Sequence, residues 1–298
     1  MVDSDLPEIL SSLRDSPVNR ADVSQHWSQG RSVYGGMAAA LAVAAMRKQV
    51  AADRSLRSLM VSFVGPLRPG GSAVATRVLR EGGSASQTSA EITQHGEVCL
   101  QALAAWGKPR PGLSISVDHG FAAAADCDVP PPPDAAAKAA PGGPGSPGAG
   151  EPGVNRPLLQ HDPKRMPGFL RFFDGAWFGG GTPMSGDAKN QINIWAAHRA
   201  DMRGFPEEAI VAIADLPPPV LLNRFSGTRA PSSSLSWSLE FVIPPGQIET
   251  RWFLLRFDLE WAEDGYTQQS GKIFTETGQL AALSRQTMVY YQPKTTQH

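Results

Sequence analysis

From Met37 to Met46 every residue is apolar, and Gly35-Gly36 stand just before this run. A helix that is apolar on all sides belongs in a core, with other elements wrapped around it. Ahead of it, Leu6, Ile9, Leu10 and Leu13 recur at helical spacing and predict a short amphipathic lead-in within residues 1–20. Beyond the helix the period changes. Residues 57–67, 73–81, 84–94 and 97–107 are β-rich or alternate between apolar and polar. Gly70-Gly71, Gly82-Gly83 and His95-Gly96 punctuate them. Short successive turns predict an antiparallel meander around one buried helix.

The same order then returns. Residues 169–178 and 191–198 have strand patterning. Pro206-Glu207-Glu208 opens a second apolar helix, with proline at the first position and acids in the first turn. That helix must stop near Asp215-Leu216, because Pro217-Pro218-Pro219 cannot continue it. Four more strands are expected over 233–243, 251–262, 265–275 and 279–291. Between the two sets, Pro130 to Pro133, an alanine run and Pro141 to Gly148 carry no apolar side chains that could offset their own ordering entropy. The expected division is a first domain over 1–127, a linker over 128–157 and a second domain over 158–298.

The halves also repeat in detail. Glu81 to Gln87 can be set against Glu263 to Gln269 at an offset of 182, which carries Thr93 onto Thr275 and Gly96 onto Gly278. An offset of 178 brings Leu59 to Phe63 over Trp237 to Phe241. A repeat of this length means two copies of one domain rather than a solenoid of short units. Polar residues present in one copy only are the first place to look for function.

Composition narrows the classes. Among 298 residues, Lys plus Arg number 27 and Asp plus Glu number 28, so no net positive field would draw nucleic acid. Cys99 and Cys127 are the only cysteines; they suit a reducing compartment, and neither they nor the six histidines have metal-ligand spacing. No cofactor or metal is expected. The first ten residues lack a basic and apolar leader, and no run is long enough to span a membrane. A cytoplasmic protein is expected.

A central helix wrapped by an antiparallel sheet and duplicated in one chain resembles the double hotdog fold, of class α+β. Gly30-Arg31-Ser32-Val33-Tyr34-Gly35-Gly36 is similar to the start of the helix in acyl-CoA thioesterase II-type enzymes. Leu56 to Leu59, leading into Pro66-Leu67-Arg68-Pro69-Gly70, is similar to that family's strand and Arg-Pro-Gly turn. The resemblance implies hydrolysis of acyl-CoA, a role in fatty-acid and lipid metabolism, and a homodimer or higher homo-oligomer. It further implies a water held by an Asp, a Thr or Ser, and a Gln in the second copy. The segment Ala212-Ile213-Ala214-Asp215 carries the Asp onto Asp215. Counting back from Phe241 and Pro244 carries the hydroxyl onto Ser234, where Thr is the commoner residue. Leu280 to Gln286 carries the Gln onto Gln286.

At the repeat offsets, Gln286 falls on Ala104 and Ser234 on Leu56, both apolar. If these positions only built the shared fold, apolar residues would be expected in both copies. Thioester hydrolysis needs an oriented water, a proton acceptor and support for the oxyanion. An ionised Asp with a hydroxyl and an amide beside it can supply the first two. Gly35 and Gly36 would bare backbone N–H groups to a substrate oxygen. Each residue also has a plainer reading. Asp215 can be a helix terminus, Gln286 a strand residue facing solvent, and Gly35-Gly36 a tight turn. Asp174 and Asp187 read as turn residues, and Trp27, Trp106, Trp177 and Trp195 as core. Arg31, Arg57, Arg68 and Arg80 are candidates for the CoA phosphates. Two further readings stay open: a non-catalytic acyl or acyl-CoA binder, and a hotdog hydratase. Against the hydratase, no Asp-x-Asn-x-x-His motif occurs, and no Gly-x-Ser-x-Gly elbow marks an α/β-hydrolase.

Overall fold

Asp5 starts the first helix, α1 (Leu6–Asp15), by accepting the Glu8 backbone N–H while the Glu8 carboxylate accepts that of Asp5. This reciprocal pair satisfies two N–H groups that helix geometry leaves bare. The expected stripe Leu6, Ile9, Leu10 and Leu13 is buried. The computed structural model describes residues 4–121, 123–124, 127–133, 161–164, 166–226 and 230–291. Most of the linker expected over 128–157 lies outside them.

Two buried helices form the centre. In α2 (Gly35–Arg47) every residue from Gly36 to Met46 is buried. In α3 (Pro206–Ala214) every residue from Glu207 onward is buried. They pack on each other, with Gly36 beside Ala212 at one end and Arg47 Nη1 3.7 Å from Glu207 Oε1 at the other. The helices therefore run antiparallel.

One antiparallel sheet of eleven strands wraps this pair. The first half supplies β1 (Arg20–Val23), β4 (Ser55–Phe63), β5 (Gly70–Glu81), β6 (Ala85–Gln94) and β7 (Glu97–Gly107). The second supplies β10 (Phe173–Gly180), β11 (Gln191–His198), β12 (Ser232–Phe241), β13 (Phe253–Glu263), β14 (Tyr266–Thr275) and β15 (Leu280–Tyr290). Short pairs β2 (Ser28–Gln29) with β3 (Ser32–Val33), and β8 (Ala123–Ala124) with β9 (Cys127–Asp128), lie outside it. The order is β1-β5-β6-β7-β4-β12-β15-β14-β13-β11-β10. The halves meet where β4 pairs with β12, with Met60 opposite Ser238. These two residues occupy equivalent places in their copies, so a pseudo-twofold axis passes between them. The fold is the double hotdog expected from the sequence.

The ladders correct the repeat register. β7 and β15 correspond at 182, and β4 and β12 at 178, as expected. For β6 and β14 the offset is 181: Thr88 pairs with Ala104 as Gln269 pairs with Gln286. The difference arises in a turn. The first copy joins Gln94 to Glu97 through His95-Gly96, while the second closes from Thr275 to Gln279 around three residues. Gly83 therefore matches Asp264 rather than Gly265. Asp264 and Gly265 both have positive φ, 52° and 80°, as a two-residue hairpin of this hand requires.

The strand expected from 169 begins only at Phe173, and Gly168–Phe172 form a 3₁₀ turn instead. Phe169 stacks on Tyr34 and Phe172 on Trp27, so aromatic packing replaces pairing at the sheet edge. Strand β1, four residues that the sequence reading did not single out, covers the edge of β5. Trp27, Trp106 and Trp195 are fully buried, and Trp177 packs partly buried against the core. A second apolar cluster lies apart from the main one. It includes Ala176, Phe178, Trp195, Trp252 and Phe274, with Phe121 and Val129 among the residues packed against it. Arg256 ties that covering segment down by donating to the carbonyls of Gly120 and Phe121.

Candidate active site

Helix α3 ends at Asp215 because the three prolines after it lack N–H groups. This leaves the Asp215 side chain at the junction of α3 and the first turn of α2. Its carboxylate accepts the Gly36 N–H. Here the positive end of the α2 dipole favours negative charge. The two glycines make the approach possible. A Cβ on Gly35 would lie 2.7 Å from Asp215 Oδ2, and one on Gly36 would lie 2.6 Å from the Ala212 carbonyl oxygen. Tyr34 closes the junction by donating its hydroxyl to the same Ala212 carbonyl at 2.6 Å. Gly35 and Gly36 thus bring the two helix ends together, and the Gly36 N–H serves Asp215.

Strand β15 brings the second residue. Gln286 is buried and its Nε2 donates to Asp215 Oδ1 at 2.6 Å. Behind it, Gln269 on β14 donates Nε2 to Gln286 Oε1 at 2.9 Å, and the Val220 backbone N–H donates to Gln269 Oε1 at 3.0 Å. Asp215 itself is only partly enclosed. Burial pushes its pKa up to about 7, against the lowering effect of the donors from Gln286 and Gly36. A carboxylate poised near neutrality suits a general base.

Ser234 makes no hydrogen bond to Asp215 or Gln286. Its position is nevertheless informative. It pairs with Met288, two residues on from Gln286, and the ladder skips Leu235 before Ser236 pairs with Thr287. Cross-strand partners share a face, so this bulge turns Ser234 onto the face of Gln286. Without it, Ser234 would point to the other side. Bulges recur beside active sites for this reason. The structure therefore joins Asp215, Gln286, Gly35 and Gly36, and sets Ser234 one cross-strand row away.

The first copy holds the same bulge, between Leu56 and Ser58. Its corresponding row carries Leu56, Ala104, Thr88 and Trp106 where the second has Ser234, Gln286, Gln269 and Met288. Trp106 fills that space, donating its ring N–H to Thr88 Oγ1 at 2.9 Å under the Arg47 guanidinium. The Gln269–Gln286 amide pair therefore has no counterpart in this row, where Thr88 faces Ala104.

Other candidates find local roles. Asp187 accepts the Lys189 N–H in its turn, and Asp174 pairs with Arg199 at 2.8 Å. Arg31, Arg68 and Arg80 are exposed, and Arg57 Nε donates to the Gly107 carbonyl. A groove of about 730 Å³, bordered by Met60, Leu103, Ser238 and Arg285, lies outside this site, and Asp215 does not border it. Among the described residues no group of three or more His, Cys, Asp or Glu could hold a metal ion, and no helix is long and apolar enough to cross a membrane.

Sequence reading missed Tyr34 and Gln269. Gln269 carried a signal, but the offset of 182 laid it over Gln87 and made it look like a shared residue. At the true register its counterpart is Thr88.

Comparison with known proteins agrees with this architecture. The chain is similar in fold to a hot dog protein of unknown function from Alicyclobacillus acidocaldarius, with 19% identity, a TM-score of 0.71, and 92% and 93% of the two chains covered. It is similar to the acyl-CoA thioesterase II TesB2 of Mycobacterium marinum, with 18% identity, a TM-score of 0.63, and 96% and 99% covered. The tesB protein of Mycobacterium avium subs paratuberculosis gives 16% identity, a TM-score of 0.67, and 97% and 100% covered. No curated protein matches the sequence. Family models for the acyl-CoA thioesterase N-terminal and C-terminal domains match residues 23–107 and 128–290. The chain belongs to the acyl-CoA thioesterase family.

Proposed function

We propose that the protein hydrolyses acyl-CoA thioesters to the free acid and CoA, at the site built around Asp215. The observation that carries this reading is the hydrogen bond from the buried Gln286 to the partly enclosed Asp215, in a row where the other copy has Ala104 and Trp106. Asp215 takes a proton from a water as its oxygen attacks the thioester carbonyl. Gln286 and the Gly36 N–H hold the carboxylate in place. Ser234, on the face of Gln286, is positioned to bind the same water. The positive end of α2 stabilises the oxyanion that forms. When the intermediate collapses, the carbon–sulfur bond breaks and the proton on Asp215 passes to the leaving thiolate. We assign the reaction to fatty acyl-CoA turnover in the cytoplasm.

Release of CoA thiol from a series running from acetyl-CoA to palmitoyl-CoA tests the proposal. Turnover of at least one member is expected. Saturable binding across the series without thiol release would leave an acyl-CoA binder and refute catalysis.

A further inference from the structure

The polar chain behind Asp215 has a direction. A backbone N–H can only donate. Val220 donates to Gln269 Oε1, so Gln269 must turn its Nε2 toward Gln286. Gln286 then accepts on Oε1 and has only its Nε2 to offer Asp215. The orientation of both amides follows from one unambiguous donor, which settles a choice usually left to the network as a whole. Gln269 is wholly buried and Gln286 nearly so, so water does not compete for the contacts of Gln269 with Val220 and Gln286.

We propose that Gln269 is a positioning residue, which holds the Gln286 amide so that it donates to Asp215 and keeps that carboxylate available as a base. This rests on Asp215 being the base of thioester hydrolysis. Without Gln269, the Gln286 amide is free to turn over and present Oε1 to Asp215. An oxygen facing a carboxyl group favours its protonated form. Asp215 would then hold its proton to higher pH and activate less water at neutrality. The other groups facing Asp215 cannot make this adjustment. Tyr34, before α2, is kept neutral by burial and by Asp215 itself, and the Gly36 N–H on α2 is a fixed donor. In the first copy, Thr88 takes the Trp106 ring N–H instead, so the relay belongs to the second copy alone.

The test is a titration of the Asp215 carboxyl carbon by NMR in protein labelled at aspartate, with the signal assigned by Asp215→Asn. Gln269→Leu should raise the midpoint by about one to two pH units, the effect of losing one hydrogen bond to the charged form. Gln286→Leu should raise it at least as much. Adding Gln269→Leu to Gln286→Leu should raise it no further. If the leucine variant does not fold, Gln269→Met keeps the length and apolar volume. An unmoved midpoint in a folded Gln269 variant, or an equal further shift in the Gln286→Leu background, overturns the proposal. The titration needs no substrate, so it stands apart from the activity. A protein that never releases CoA would refute the hydrolase reading and still report on the relay. If hydrolysis occurs, the acid limb of kcat/KM should move with the NMR midpoint.

Discussion

Asp215→Asn should lower kcat by about 10²- to 10⁴-fold and leave KM within a few-fold, because the substitution keeps the shape and removes the proton acceptor. The geometry is specific. Asp215 sits where two helix ends meet, with one donor from Gln286 and one from Gly36. An amide at this position can still bond to one of them but cannot take a proton from water. The pH dependence follows from the same carboxylate. Only the carboxylate form acts as base, so kcat/KM of the wild type should fall as pH drops through about 7, the value to which burial raises Asp215. Steady-state kinetics of the two proteins across this range would check both statements. Wild-type turnover by Asp215→Asn would remove Asp215 from the mechanism.

The paired glycines give the second large effect, and they separate catalysis from stability. At Gly36 a Cβ would meet the Ala212 carbonyl at 2.6 Å, and that carbonyl belongs to a buried helix. Alanine normally improves a helix over glycine by up to roughly 1 kcal/mol. Here the gain should be outweighed by overpacking of about 1–3 kcal/mol, because α2 and α3 would have to move apart. At Gly35 the Cβ would meet Asp215 Oδ2 at 2.7 Å, a side-chain atom that can swing away. Gly35→Ala should therefore fold with a melting temperature near that of the wild type. Its kcat should fall about 10²-fold, since displacement on the order of 1 Å at a reacting group costs that much. Thermal melts and kcat measured on both variants would show the contrast. Full activity in Gly35→Ala would mean that the carboxylate does not work from this position.

The patterns that single segments carry were legible in the sequence. An uninterrupted apolar run announced α2, proline brackets announced α3, and alternation with two-residue turns announced the meanders. Asp215 was singled out by the resemblance that Ala212-Ile213-Ala214-Asp215 carries, while the prolines after it marked only where its helix ends. What the sequence hid depends on how strands meet. The face of Ser234 is decided by the bulge at Leu235, which only the pairing with β15 reveals. The isolation of Gln269 in one copy is decided by one extra residue in a distant turn. The turn over 168–172 follows from Phe169 and Phe172 finding Tyr34 and Trp27, contacts far away in the chain.

The most direct test of the mechanism is a single turnover, with enzyme in excess over acyl-CoA, in water enriched in the heavy oxygen isotope. Direct attack by a water held at Asp215 puts the heavy oxygen into the free acid during that first turnover and leaves the Asp215 carboxyl unlabelled. Heavy oxygen on Asp215 with an unlabelled first-turnover acid would show the carboxylate acting as a nucleophile, and would contradict the account.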